Sequence, residues 1–271
     1  MAIIDDFDGF LIDLDGVVWV GDTVVPGADQ AVRALHEQGK HVLFLTNDPQ
    51  SSGQQYDAKL HRLGVDPGRS AVLTAGAATA MHIAKHEETA NRTVFVIGSP
   101  ALKAELQAIG LRVIDGEDGR DTDFVVVGGH GGFDYTELRI ASHAVRRGAG
   151  FYATGRDATF PMPDGPWPAT GAILAAVEAA AGRPAHVVGK PEPGMFNVAR
   201  ELLPEARRCV VVGDRLDSDI AGGRRAGLAT VLVLTGSTTA AEAANADPAP
   251  DFVFPDLRGL LGHGGPAAYR S

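Results

Sequence analysis

The sequence predicts an α/β protein, a Rossmann-like doubly wound parallel sheet carrying an inserted second α/β domain. Three observations predict it. Apolar runs of strand length alternate with amphipathic stretches of helix length along most of the chain. Polar residues with chemical potential fall at the carboxyl ends of those runs. Finally, the stretch from Gly189 onward resumes and completes features begun near the N-terminus. The expected organisation is a core over 1–88 and 187–271, with an insert over 89–186.

The first run, Phe10 to Ile12, reads as a buried strand that leads into Asp13, Asp15 and Gly16. If the strand continues, the two acids share a face. If it opens at Asp15, they still crowd one strand end. Paired anions at a buried edge repel each other and lose water, and a divalent cation is one remedy. An ordinary Asp-Gly turn is the competing reading of this stretch taken alone.

Pro26-Gly27 then opens an amphipathic stretch with Ala31, Val32 and Leu35, closed by Gly39. His41 to Thr46 is the second strand. A helix capped by Ser52 and stopped at Gly64 follows, with Leu60 and Leu63 on its apolar side. Ala71–Thr74 is a short strand and Gly76–His86 a helix.

The polar stretch Lys85 to Arg92 precedes the inserted series. Strands are expected over Thr93–Gly98, Asp123–Gly128 and Gly150–Thr154. Helices are expected over Ala101–Ile109 and Tyr135–Arg147. A Pro- and Gly-rich loop, Gly155 to Thr170, leads into a helix through Ala180. In the last third, Pro193–Leu203 and Asp217–Ala226 read as helices, and Cys209–Asp214 and Ala229–Leu234 as strands. The segment Gly262–Ser271 is expected to fray.

Composition narrows the function. The 271 residues are 45% hydrophobic and 21% charged, an ordinary globular balance. A net charge of −10 argues against nucleic acid or an anionic membrane as partner, while leaving room for a small phosphorylated metabolite. The single cysteine, Cys209, lies in an apolar run and reads as a buried thiol. Together with an N-terminus lacking the basic region of a signal peptide, it points to a cytoplasmic protein.

Four polar signals share the strand-end position: Asp13 with Asp15, Thr46-Asn47, Lys190, and Asp214 with Asp219. In open α/β sheets ligands bind there. Each signal has a plain structural reading: an Asx turn, a surface lysine, a helix N-cap. Together and in this order they would need to be coincidences.

Asp-Leu-Asp-Gly-Val, Leu-Thr-Asn, Gly-Lys-Pro and Gly-Asp-Arg-Leu-Asp-Ser-Asp-Ile resemble the four motifs of the haloacid dehalogenase-like phosphatases. The insert between the second and third motifs is similar to the C2-type α/β cap domain of one branch. Pro26-Gly-Ala, Thr154-Gly-Arg-Asp157 and Leu234-Thr-Gly resemble its NagD-type group.

The resemblance implies a Mg2+-dependent phosphatase working on a small phosphomonoester, of sugar, glycerol, glycolate, nucleotide or pyridoxal phosphate type. Asp13 would be the nucleophile and Asp15 the general acid and base. Mg2+ would bind Asp13, the Asp15 carbonyl and Asp214. Thr46 and Asn47 would hold the phosphoryl group, Lys190 would neutralise it, and Asp219 would orient Lys190 or a metal-bound water. Arg156, Asp157 and Phe160 would face the leaving group, with Arg156 taking a second anion and Phe160 an apolar or ring portion.

The chain departs from the group at Gly155, at Pro168-Ala-Thr-Gly171 and at Asp48. The resemblance also admits a homodimer formed through the cap. A phosphotransferase or phosphomutase on the same fold, and a non-catalytic phospho-ligand sensor, are the rival readings.

Overall fold

The computed structural model describes residues 2–68, 71–162 and 164–262. The fraying expected at the C-terminus lies, from residue 263 on, outside the described residues. The chain forms two compact units. One gathers the N-terminal segment through Thr46, Gly53–Leu73 and the segment from Lys190 on; the other gathers Asn47–Ser52 and Thr74–Gly189.

The first unit is built on a six-stranded sheet. Its strand order is Phe252–Phe254, Ala229–Val233, Cys209–Gly213, Gly9–Asp13, His41–Thr46 and Ala71–Thr74. Gly9–Asp13 is central, parallel to Cys209–Gly213 on one side and His41–Thr46 on the other. It is buried along its whole length, which is why its sequence is a continuous apolar run rather than an alternation.

Phe10, Ile12, Val42, Phe44, Val210, Val212, Val231 and Val233 pack on one face into a single core. The helix Ala28–Glu37 covers that face with Ala28, Ala31, Val32 and Leu35, the spacing of one helical stripe. The alternate residues Leu11, Leu43 and Val211 are also buried, on the opposite face. Helices on both faces make the sheet doubly wound.

The second unit repeats this plan around a five-stranded parallel sheet, ordered His186–Val187, Gly150–Ala153, Phe124–Val127, Thr93–Ile97, Arg112–Val113. One face buries Phe95, Ile97, Val125, Val127 and Phe151 against Ile140, Val145, Leu174 and Val177. The other buries Val94, Val96, Val126 and Tyr152 against Ala80, Ile83, Leu102 and Leu106.

The structure modifies some expected elements and adds others. The segment expected as a loop over Gly155–Thr170 contains an antiparallel hairpin, Thr159–Met162 with Gly165–Pro168. Its prolines lack N–H donors, so it reads as loop in sequence and exists only as a separate two-stranded piece. The Pro-rich segment after Ala246 supplies an edge strand, Phe252–Phe254. The helix expected over Asp217–Ala226 is instead a wide π turn, Leu216–Ile220, followed by an α-helix, Ala221–Arg225. Among the described residues no helix is long and apolar enough to cross a membrane.

Candidate active site

The strand Gly9–Asp13 ends on Asp13. Register places Asp13 opposite Leu45, one residue before Thr46, and Ile12 opposite Val212, two residues before Asp214. Asp13, Thr46 and Asp214 therefore line the carboxyl edge of adjacent strands, and all three are buried.

Lys190 reaches the same edge. It is 3% exposed. Its ammonium donates to Asp13 Oδ1 and, at 2.6 Å, to Asp219 Oδ1. Asp219 owes its position to the π turn, in which the Ile220 N–H bonds Arg215 O across five residues. The other Asp219 oxygen accepts the Arg215 N–H at 3.2 Å. Both oxygens of Asp219 are thus engaged by the protein.

Asp214 sits in a cradle. Its Oδ2 accepts the Ser237 N–H at 2.6 Å. A Cβ on Gly16 would lie 2.5 Å from that oxygen, and one on Gly236 would lie 2.0 Å from it. Gly16 also has φ +85°, a conformation that side chains disfavour. The glycine of the Asp-Gly pair is therefore fixed by what it approaches as well as by the turn it makes.

Carboxylate oxygens of Asp13, Asp214 and Asp219 lie within 4.8 Å of one another. Burial pushes the Asp13 carboxyl well above the usual range, more than the Lys190 ammonium pulls it down. Burial also raises Asp214, with Asp219 adding repulsion. Burial opposes the Lys190 charge, but the Asp13 and Asp219 carboxylates outweigh it and raise the lysine. The geometry favours the charged pair, since Lys190 meets two carboxylates at once. Buried negative charge exceeds the positive charge of Lys190, and the donors are all oxygens, so the cluster fits a hard divalent cation.

Asp15 lies outside that cluster. The strand stops at Asp13, and the Leu14 carbonyl accepts N–H groups from Val17, Val18 and Trp19, turning the chain sharply. The Asp15 side chain is exposed, and its Oδ1 accepts the Trp19 Nε1–H at 2.8 Å.

The remaining predicted residues belong to the second unit. Asn47 Nδ2 donates to Asp157 Oδ2 at 2.8 Å. Arg156 grips Glu178 with two parallel bonds of 2.9 and 2.7 Å. Glu178 also accepts the Ala185 N–H. The hydrogen bonds from Arg156 hold the Glu178 carboxyl below its ordinary range. Phe160 is on the hairpin, 42% exposed, edge-on to Trp167 at 6.3 Å.

The family model of the haloacid dehalogenase-like hydrolases matches residues 10–112, and a second HAD hydrolase-like model matches residues 187–260. The chain belongs to this family. The HAD chain is 34% identical to an acid sugar phosphatase of Staphylococcus haemolyticus, over 93% of this chain and 94% of the relative. NagD from E. coli K-12 superposes with a TM-score of 0.84 at 30% identity, covering 92% of this chain and 96% of that one. A glycerol phosphate phosphatase from Mycobacterium tuberculosis in complex with magnesium gives a TM-score of 0.86 at 34% identity, covering 96% and 78%. The protein is a NagD-type HAD phosphatase, a phosphoric monoester hydrolase.

Sequence reasoning missed three contributors to this HAD site. Gly236 and Ser237, which hold Asp214, adjoin or belong to the Leu234-Thr-Gly motif, the signal that marks them. Trp19 lies in the opening stretch, but nothing in a sequence marks an indole as the partner of an acid four residues earlier.

Proposed function

We propose that the protein is a Mg2+-dependent phosphatase that hydrolyses a small-molecule phosphomonoester through an aspartyl-phosphate. The observation that carries this is the cluster of Asp13, Asp214 and Asp219 with Lys190 bonded to two of its members. The relatives named for sugar and glycerol phosphates support a substrate of that size.

Asp13 attacks phosphorus through a carboxylate oxygen. As the bond from phosphorus to the ester oxygen breaks, Asp15 gives that oxygen a proton and the alcohol leaves. Asp15 then takes a proton from the water that attacks the aspartyl-phosphate, which releases inorganic phosphate and restores Asp13. Lys190 stabilises the charge gathering on the phosphoryl oxygens, and Thr46 and Asn47 hydrogen-bond them. Asp219 holds Lys190 in place.

Mg2+, held by the Asp13 and Asp214 carboxylates and the Asp15 carbonyl, would supply charge neutralisation at the phosphoryl group when bound. The second unit, with the insert over 89–186, acts as a cap whose residues Asp157 and Phe160 select the leaving group, while Arg156 braces their loop through Glu178.

The test is phosphate release from p-nitrophenyl phosphate with Mg2+, comparing wild type, Asp13→Asn and chelated enzyme. Loss of turnover in the variant and on chelation is expected. Comparable turnover in Asp13→Asn would remove the nucleophile assignment. An isomerised sugar phosphate without free phosphate would favour a mutase instead.

A further inference from the structure

We infer that Trp19 is a positioning residue for this reaction: its indole N–H fixes Oδ1 of Asp15 and leaves Oδ2 as the oxygen that meets the leaving group. The inference rests on the general-acid reading of Asp15 given above.

Asp15 needs such a partner. Its side chain is exposed and lies on a turn beyond the end of the strand. Of the residues that act chemically here, Asp13, Lys190 and Asp214 are buried, while Asp15 is not. A short carboxylate on an exposed turn samples several rotamers, and proton transfer requires one of them.

Trp19 supplies the constraint. Its ring is fully buried, so its N–H points from a fixed place. The ring stacks on Tyr56 with centroids 6.2 Å apart and planes 5° apart. Lys59 Nζ sits 4.4 Å from the ring centroid. The backbone is fixed as well: Trp19 N–H bonds Leu14 O at 3.2 Å, and Gly16 N–H bonds Trp19 O at 2.7 Å. Trp19 also starts a small antiparallel hairpin, pairing with Val24.

From this anchored ring the indole N–H reaches Asp15 Oδ1 at 2.8 Å. An indole N–H only donates, so it selects an oxygen acting as acceptor and leaves the other to make the bond to substrate. The turn leaves the strand at Leu14, the residue after Asp13, and its far end is tied back to the Leu14 carbonyl, so the nucleophile and the acid share one frame. A histidine or serine at position 19 would not enforce this, because each also accepts.

The plainer alternative is that Trp19 is a core residue satisfying its N–H on the nearest acceptor. Leaving-group dependence separates the two. A p-nitrophenolate leaves without protonation, whereas the alkoxide of glycerol 3-phosphate does not. A packing defect lowers kcat/KM for both esters alike. A misplaced acid lowers it selectively for the alkyl ester.

The experiment measures kcat/KM with Mg2+ on p-nitrophenyl phosphate and glycerol 3-phosphate for wild type, Trp19→Phe, and enzyme carrying 3-benzothienylalanine at position 19. That isostere keeps the ring volume and lacks the N–H, so it decides the matter where Trp19→Phe unfolds the turn. Asp15→Asn is run in parallel. The expected result is a selective loss on glycerol 3-phosphate of about tenfold at position 19, and of about 10²-fold or more in Asp15→Asn.

Equal losses on both esters, or none, at position 19 would overturn the role of Trp19 while leaving Asp15 in place. Absence of selectivity in Asp15→Asn would instead overturn the general-acid reading, and the role of Trp19 with it.

Discussion

Lys190 Nζ lies 2.6 Å from Asp219 Oδ1, in a place where both side chains are almost wholly removed from solvent. The second oxygen of Asp219 accepts the Arg215 N–H. The contact of Asp219 with Lys190 is the one tested by substitution. Asp219→Asn keeps the shape and an acceptor but removes the charge. A loss in kcat of about 10 to 100-fold is expected, with the fold retained by circular dichroism. Asp219→Ala removes half of a buried ion pair network and is expected to lower unfolding stability by about 3 kcal/mol in urea titration. Wild-type turnover in Asp219→Asn would show that Lys190 needs no such support.

The cradle around Asp214 makes a different prediction, about metal affinity. Gly236→Ala would drive a methyl to 2.0 Å from Asp214 Oδ2, and Gly16→Ala to 2.5 Å. In each case the carboxylate must move. The Mg2+ concentration giving half-maximal activity is expected to rise about tenfold or more. Gly16→Ala carries an added cost of about 1–2 kcal/mol because of its positive φ of +85°. A variant with the Mg2+ dependence of wild type would mean that Asp214 is not held by contact with these glycines.

Legibility in the sequence followed the range over which each feature is specified. Gly9–Asp13 was readable because a strand buried on both faces is an unbroken apolar run, and its terminal acids contrast with it. Asp13 and Lys190 are 177 residues apart, yet their meeting was readable because Asp13 ends a strand pattern and Lys190 follows it in a known order of motifs. The π turn was not, since Leu216–Ile220 has the composition of an ordinary helix start, and the long-range bond of Asp219 to Lys190 that accompanies it leaves no local signal. The hairpin Thr159–Pro168 was hidden by prolines, which remove the donors a strand ordinarily shows. Trp19 was hidden for a third reason, because a hydrogen bond across a turn leaves no periodicity.

Acid sensitivity is expected from a clasp within the second unit. Asp123 Oδ2 accepts both the N–H and the hydroxyl of Thr93 at 2.8 Å, and Arg92 pairs with its other oxygen at 3.2 Å. Burial opposes the Asp123 charge, but these bonds outweigh it and hold the carboxyl below its ordinary value. The folded protein therefore gives up this proton at lower pH than the unfolded chain does. The contribution to stability is full above about pH 4 and is lost as pH falls through the depressed value. Urea titrations of wild type and Asp123→Asn are expected to differ at pH 7 and to converge toward pH 2. A constant difference across that range would show that the clasp does not depend on the carboxylate charge.

Asp251 builds the same clasp in the first unit, accepting the Thr230 N–H and hydroxyl at 2.8 Å while the Asp251 N–H returns to the Thr230 hydroxyl at 3.2 Å. It ties the edge strand Phe252–Phe254 to its neighbour Ala229–Val233. With three residues, that strand has little ladder of its own. Asp251→Ala leaves the Thr230 N–H without this partner and is expected to lower stability by about 1–3 kcal/mol. Hydrogen exchange should localise the effect to Phe252–Phe254 and Leu234. Uniform loss of protection across the sheet would mean that the edge strand opens only with the whole unit.

Arg156, expected from the sequence to face the leaving group, is engaged by Glu178. Its two-pronged grip on Glu178 uses the same guanidinium face that a carboxylate or phosphate would need. Glu178 in turn holds the Ala185 N–H, so the pair braces the start of the loop to the end of the helix Thr170–Ala181. An anionic substrate group would have to displace Glu178 or share its position. Arg156→Ala is therefore expected to lower the melting temperature and to change KM for small phosphomonoesters by less than about threefold. Glu178→Gln weakens the brace while leaving the guanidinium charged, and is expected to lower KM for substrates bearing a second anion. A rise in KM of tenfold or more in Arg156→Ala, confined to doubly anionic substrates, would instead place that second anion on Arg156 in preference to Glu178.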